Sequence, residues 1–336
     1  MVLRREGLRA EAVSTSEEDM TREEKETMQG ALHNEELFLF DVIIVGAGPA
    51  GLSAALILGR CRRCVLVCDT GQHRNAASQA LHGFLTRDGI APDELLRLGR
   101  EQLGRYESVE VRTVAVIDAI RCATHFEVTF GDGTQAAARK LLLATGVIDG
   151  LPAIPGIEAC YGKSVFHCPY CHGWEVRDQP LAIYGRGEHG RGLALELTAW
   201  SRDLVLCTDG PPELDERDLA RLSRHGITVR DERIACLEGT DGFLERIVFT
   251  TGEALPRRAL FVHMSERQRS DLPAKLGCIM TQRGVVRTGE YEATNVPGLY
   301  VAGDASRRVQ LVVVAAAEGA EAAFAINTAL LKEDLA

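Results

Sequence analysis

Apolar residues fall along this chain in short runs closed by glycine, and helical spacing follows several of them. Asp41-Val-Ile-Ile-Val45 is the first run, the pattern of a strand buried on both faces. Leu52 to Leu58 then predicts a helix, and Val65-Leu-Val-Cys-Asp69 a second strand. The same alternation returns further on. Leu181-Ala-Ile-Tyr184 leads through a glycine-rich turn into a helical stretch from about Leu193 to Trp200, and then into Leu204-Val-Leu-Cys207. Two strand–helix–strand openings predict an α/β fold of two Rossmann-type units.

Between the openings, Phe126–Phe130 and Gly131-Asp-Gly133 predict a hairpin leading to Leu141-Leu-Leu-Ala144-Thr145-Gly146. The proline and glycine punctuation from Gly150 to Gly156 reads as a linker. Ile247-Val-Phe249 with Thr250-Thr-Gly252 predicts another strand and turn. Gly298 to Asp304 reads as a buried strand ending in an acid, with a helix after Gln310.

The pattern is missing before Leu37. Residues 1 to about 36 hold no aromatic residue and are dense in Glu, Arg, Lys, Ser and Thr, too little apolar surface to offset ordering entropy. A disordered or loosely helical extension is expected there. The net charge of −10 comes half from this segment, and the remaining body has no basic cluster, which argues against nucleic acid as the main partner. The most apolar stretch, Leu311 to Leu331, is broken by Glu318 and Glu321, so no membrane span is expected. Without a secretory or transit pattern at the N-terminus, a cytoplasmic location is expected. The 10 cysteines are then expected to be reduced, catalytic or buried rather than a disulfide scaffold.

Gly46-Ala-Gly48-Pro49-Ala50-Gly51 lies directly after a strand and before a helix. Its first glycine allows a tight turn, its second lets backbone approach a pyrophosphate, and its third permits close helix–strand packing. The helix N-terminus then offers unpaired N–H groups to phosphate. Asp69 closes the next strand, where a carboxylate accepts hydrogen bonds from ribose hydroxyls. Gly185-Arg-Gly187-Glu-His-Gly190 repeats the spacing after the later strand.

Cys168-Pro-Tyr-Cys171-His172 is the chemical centre. Two thiols at this spacing close a disulfide when the backbone permits a turn. The attacking species is a thiolate, favoured by a neighbouring base or cation. With an unperturbed pKa of about 6.5, His172 suits proton transfer to and from a thiol. Covalent haem attachment, a zinc site using Cys160, Cys168, Cys171 and a histidine, and two merely buried cysteines are the competing readings. No metal is assigned. Cys61-Arg-Arg-Cys64 has the same spacing but reads as buried structural thiols, and Cys68, Cys122, Cys207, Cys236 and Cys278 as small hydrophobes.

Taken in order, Gly46 to Gly51, Ala144-Thr145-Gly146, the Cys168–Cys171 pair and Gly298 to Asp304 resemble the thioredoxin reductase branch of two-dinucleotide-domain flavoproteins. The resemblance covers about residues 37 to 336. It implies an FAD domain of residues 37–155 and 262–336, with a smaller NAD(P)-binding-like domain of residues 156–261 inserted into it. FAD would then meet Asp304 at its ribityl and pyrophosphate region and Gln310 near the isoalloxazine. Arg74-Asn75 and His82 to Asp88 match a flavin-lining stretch of bacterial relatives. Cys171 would exchange electrons with FAD, and Cys168 would form the mixed disulfide with a thioredoxin-like protein or a small-molecule dithiol or disulfide.

The resemblance further implies a homodimer, and NADPH or NADH at Gly185, Gly187 and Gly190. Two departures stand out. His172 sits where thioredoxin reductases usually carry an aspartate, and Cys207-Thr208-Asp209-Gly210 stands where arginines would hold a 2′-phosphate. Together they resemble the dithiol oxidases of the gliotoxin and holomycin branch, which pass electrons to oxygen. Thiol–disulfide oxidoreduction is therefore expected, with the reductase or the oxidase direction open.

Overall fold

The computed structural model describes residues 39–307 and 309–336. The N-terminal extension expected from the sequence lies outside them. Among the described residues, six strands come first: β1 (Leu39–Val45), β2 (Val65–Asp69), β3 (Val109–Thr113), β4 (Val116–Arg121), β5 (Phe126–Phe130) and β6 (Gln135–Leu143). They align as β3-β2-β1-β6-β5-β4, with β1, β2, β3 and β6 parallel and the β4–β5–β6 meander antiparallel. A strand from the far end of the chain, Leu299–Val301, returns to pair with β6 in parallel.

Alternation along β1 explains why it is central. Val42 and Ile44 face Ala54 and Leu58 of helix α1 (Pro49–Arg60), while Ile43 and Val45 face Phe126, Phe130 and Leu143. Burying one such side chain contributes roughly 1.5–3 kcal/mol. Helix α2 (Pro92–Leu103) adds Leu96 and Leu103 to the α1 side.

The chain leaves this unit through β7 (Val147–Gly150). It then builds β8 (Val165–Phe166), β9 (Leu181–Tyr184), β10 (Leu204–Cys207), β11 (Thr228–Arg230), the antiparallel β12 (Ile234–Thr240), β13 (Phe243–Phe249) and β14 (Ala254–Pro256), and β15 (Ala259–Val262). Strands β11-β10-β9-β15-β8 form a wholly parallel sheet. The way back is β16 (Ser265–Gln268), which pairs with β7 antiparallel. The second Rossmann-type unit is therefore inserted into the first, as expected.

Two local expectations are corrected. The helix after the second glycine motif, α3, spans Gly187–Glu196 and is continued by a 3-10 turn, Leu197–Ala199. It starts a turn and a half before Leu193 because Gly185 and Gly190 pack backbone to backbone: a Cβ on Gly190 would lie 2.5 Å from the Gly185 carbonyl carbon. Cys61 is exposed rather than buried, since it caps the C-terminus of α1, and Cys64 is half-buried.

The last helix, α4 (Val312–Asp334), is long and apolar enough by composition to cross a membrane. Here its Ala322, Ala323, Ile326 and Leu330 are fully buried in the α1 core. Gly319 permits the approach, because a Cβ there would stand 1.9 Å from the Ala50 carbonyl oxygen.

Candidate redox site

A cavity of about 650 Å³ opens at the carboxyl ends of β1, β2 and β6, where open α/β sheets bind ligands. Gly46, Gly48, Pro49, Ala50, Asp69, Arg74, Asn75, His82, Ala144, Thr145, Gly146, Gly303, Asp304 and Gln310 all line it, together with Cys171 and His172. Of the residues expected to hold FAD, Gly51 is the exception. A Cβ at Gly51 would lie 1.9 Å from the Gly46 carbonyl oxygen, so this glycine seats α1 on the turn rather than touching a ligand.

Gly46 adopts φ +107°, and a Cβ there would meet the Ala144 carbonyl oxygen at 2.3 Å. Gly48 caps α1 with no side-chain hydrogen bond and nothing within 4 Å of its ideal Cβ. The free first-turn N–H groups of α1 thus face the cavity, as phosphate binding requires. The Asp69 carboxylate accepts from the Ala47 and Gly71 N–H groups at 3.2 and 3.1 Å and from Arg100 at 2.5 Å, at the position where a ribose would sit. Thr145 Oγ1 is buried without a hydrogen-bond partner among the described residues, and a buried hydroxyl calls for a polar ligand. The residues present fit FAD.

Arg74 makes contacts that sequence reasoning missed. It donates to Asp304 at 2.9 Å and Gln310 at 2.5 Å, and also to Asp149 at 2.8 and 2.5 Å and Glu266 at 2.9 Å. Neither Asp149 nor Glu266 carries a motif signal; both lie on the strands that cross between the units. His82, at the rim, sits 3.5 Å from Glu175.

Cys168 and Cys171 form a disulfide across one helical turn, with Cα atoms 5.2 Å apart. Among the expected catalytic residues, Cys171 and His172 line the cavity, and Cys168, half-buried, does not. Cys168 caps the short helix Pro169–His172, and its sulfur accepts the Cys171 N–H at 3.1 Å. Gly173 is required below the turn, because a Cβ would lie 2.6 Å from the Pro169 carbonyl oxygen and 2.8 Å from the Trp200 ring.

His172 stacks on Phe166 with centroids 4.3 Å apart, and its Nε2 meets Ser78 Oγ at 3.1 Å. Ser78 spends its own proton on the Ala80 carbonyl at 2.8 Å. The hydrogen-bond network therefore assigns the proton to Nε2 of His172 and leaves Nδ1 as its acceptor. Burial, with His167 and His82 nearby, pushes the His172 pKa down to about 4, so the ring is neutral around pH 7. His167 is also held below its usual range, first by burial.

The second glycine motif is arranged differently. Arg186 folds across the loop after β10, donating to the Thr208 carbonyl at 2.6 Å and to the Asp209 carbonyl. Its guanidinium also lies 3.8 Å from the Asp209 carboxylate and 4.0 Å from that of Glu213. Asp209 in turn accepts the Ile234 N–H at 2.7 Å. An arginine and two acids thus meet beside the second glycine motif.

A doubly wound flavin cradle with a disulfide on its wall defines a class, the flavin-dependent disulfide oxidoreductases. Residues 40–319 match the pyridine nucleotide-disulphide oxidoreductase family, and the chain belongs to it. It is similar to the probable thioredoxin reductase of Arthroderma benhamiae, 31% identical over 303 residues covering 80% of this chain and 74% of that one. Among solved structures, it is 36% identical to a putative thioredoxin reductase TrxB from Bacillus anthracis, covering 88% of this chain and 99% of that one, with TM-score 0.83. HlmI is 38% identical, covering 88% and 94%, with TM-score 0.85. This chain is an enzyme of the thioredoxin reductase type, a disulfide oxidoreductase that uses FAD.

Proposed function

We propose that the enzyme moves electron pairs between FAD and a disulfide or dithiol on a thioredoxin-like protein or small molecule. Cys171 is the sulfur on the flavin side, and Cys168 is the one that meets substrate. The carrying observation is that Cys171 lines the cavity that Gly46 to Ala50, Thr145 and Asp304 enclose, while Cys168 does not. FAD bound there supplies a two-electron acceptor and donor.

In the dithiol-consuming direction, a substrate thiolate attacks Cys168 Sγ and the Cys168–Cys171 bond breaks, leaving a thiolate on Cys171. The second substrate thiolate then attacks the mixed disulfide, releasing oxidised substrate and a Cys168 thiolate. The Cys171 N–H that already points at Cys168 Sγ stabilises that charge. Neutral His172, oriented by Ser78 and Phe166, takes up a thiol proton at Nδ1. The reductase direction runs the same exchange backwards.

A second reading, an oxidase that joins dithiol and oxygen to give disulfide and peroxide, is favoured by Arg186. Its hold on the Thr208 and Asp209 carbonyls fills the nucleotide loop, and Asp209 repels a 2′-phosphate. Anaerobic titration of the yellow protein with dithiothreitol, NADPH and NADH in turn separates the two. Bleaching by dithiothreitol and by NADPH or NADH as well supports the reductase, and bleaching by dithiothreitol alone supports the oxidase. A flavin that dithiothreitol leaves oxidised contradicts both.

A further inference from the structure

We propose that Arg74 is a positioning residue that holds the Cys168–Cys171 pair against the cavity by clamping both chain crossings between the two units. The proposal rests on the reading of Cys171 as the sulfur that faces FAD. Strands β7 and β16 carry the chain into and out of the inserted unit, and they pair with Asp149 directly opposite Glu266. Arg74 reaches both carboxylates from the loop between β2 and α2, and it is anchored in the larger unit by Asp304 and Gln310.

One guanidinium therefore ties the larger unit to both strands that carry the inserted unit. Two acids set opposite each other on neighbouring strands repel unless a cation stands between them. Here the cation is bidentate to Asp149, with side-chain exposures of 14% for Arg74 and 6% for Asp149. Burial makes the geometry hard to leave, because separation would strand a desolvated charge.

The clamp leads on to the sulfurs. Asp149 accepts from the Tyr161 hydroxyl at 3.3 Å, and that oxygen lies 3.2 Å from Nδ1 of His167, the residue before Cys168. The loop that carries Arg74 also grips the inserted unit elsewhere. Ser78 meets His172, and the Ala77 carbonyl oxygen would be 2.3 Å from a Cβ on Gly162. Swinging the inserted unit away carries β7 and β16 with Asp149 and Glu266 off Arg74, which stays with Asp304 and Gln310, and it draws Cys171 away from the cavity in the same movement.

Asp149 and Glu266 do not line the cavity, so Asp149→Asn and Glu266→Gln loosen the clamp while leaving the cradle and its Arg74–Asp304 contact in place. The holoenzymes are reduced anaerobically with dithiothreitol, freed of it and pulsed with N-ethylmaleimide, and peptide mass spectrometry follows labelling of Cys171 relative to Cys168. Both variants are expected to keep wild-type FAD content and to label Cys171 roughly three- to tenfold faster, as the open population grows. Their flavin reduction by dithiothreitol should slow in parallel, with Glu266→Asp recovering part of the rate. Wild-type labelling ratios in both variants would overturn the clamp. A wild-type flavin that dithiothreitol cannot reduce would overturn the functional reading instead, while the labelling ratio still decides the clamp.

Discussion

Replacing His172 by asparagine tests whether its burial sets its chemistry. An imidazole with an ordinary pKa of about 6.5 is roughly three-quarters neutral at pH 7 and one-tenth neutral at pH 5.5, an eightfold loss of base. Burial against Phe166, with His167 and His82 close by, brings the His172 pKa down to about 4, so it stays almost wholly neutral over that range. The assay is stopped-flow reduction of the flavin by dithiothreitol, without oxygen, for wild type and variant at each pH. The ratio of the two rates cancels the ionisation of substrate and cysteine thiols. It should be roughly a hundredfold or more, the usual worth of a positioned acid–base group, and flat from pH 7 to 5.5. An eightfold fall of the ratio would refute the depressed pKa, and a ratio of one would refute the proton-transfer role.

Other outcomes follow from the same geometry. Gly51→Ala forces a Cβ to 1.9 Å from the Gly46 carbonyl, so it should cost roughly 1–3 kcal/mol or more and yield colourless protein. Gly48→Ala, with open space around its Cβ, should keep the unfolding temperature of the flavin-free protein and lose FAD affinity, as flavin release on dilution would report. Burial pushes the Glu318 carboxyl up from 4.5 to about 7. The neutral acid thus favours the fold below pH 4.5, and roughly 3 kcal/mol of that contribution is lost as pH rises through 7. Thermal unfolding of Glu318→Gln should therefore gain on wild type between pH 5 and 8, whereas parallel curves would contradict the shift. Arg186→Ala frees the loop held through Thr208 and Asp209. Flavin reduction by NADH should rise severalfold and by NADPH less, because Asp209 remains; unchanged rates with both would show that Arg186 blocks nothing.

The two Rossmann-type units were legible because their signals are local. A strand buried on both faces, a glycine turn and a capped helix occupy some two dozen consecutive residues around Gly46, and Cys168 and Cys171 are three apart. What the sequence hid is held together over long separations. Arg74 finds Asp149 75 residues away and Glu266 192 away, and His172 finds Ser78 at 94. No periodicity announces such pairs, since an acid on a strand reads the same whether it faces water or a guanidinium. The start of α3 at Gly187 was hidden differently. Its first turn is glycine, glutamate and histidine, with no apolar stripe, and it is helical because Gly185 and Gly190 close-pack beneath it. Cys61 and Cys64 share the spacing of the redox pair yet stay unbridged. Spacing alone did not decide between the two pairs; the cavity beside Cys171 does.

The most direct test of the account compares three holoenzymes, wild type, Cys168→Ser and Cys171→Ser, under anaerobic dithiothreitol with flavin absorbance followed in time. Wild type is expected to bleach, both variants to stay yellow with full FAD content, and iodoacetamide given to the wild type after reduction to label Cys168 before Cys171. A Cys171→Ser enzyme whose flavin bleaches at the wild-type rate would show that electrons reach FAD without the sulfur on the cavity wall, and the central assignment would fall.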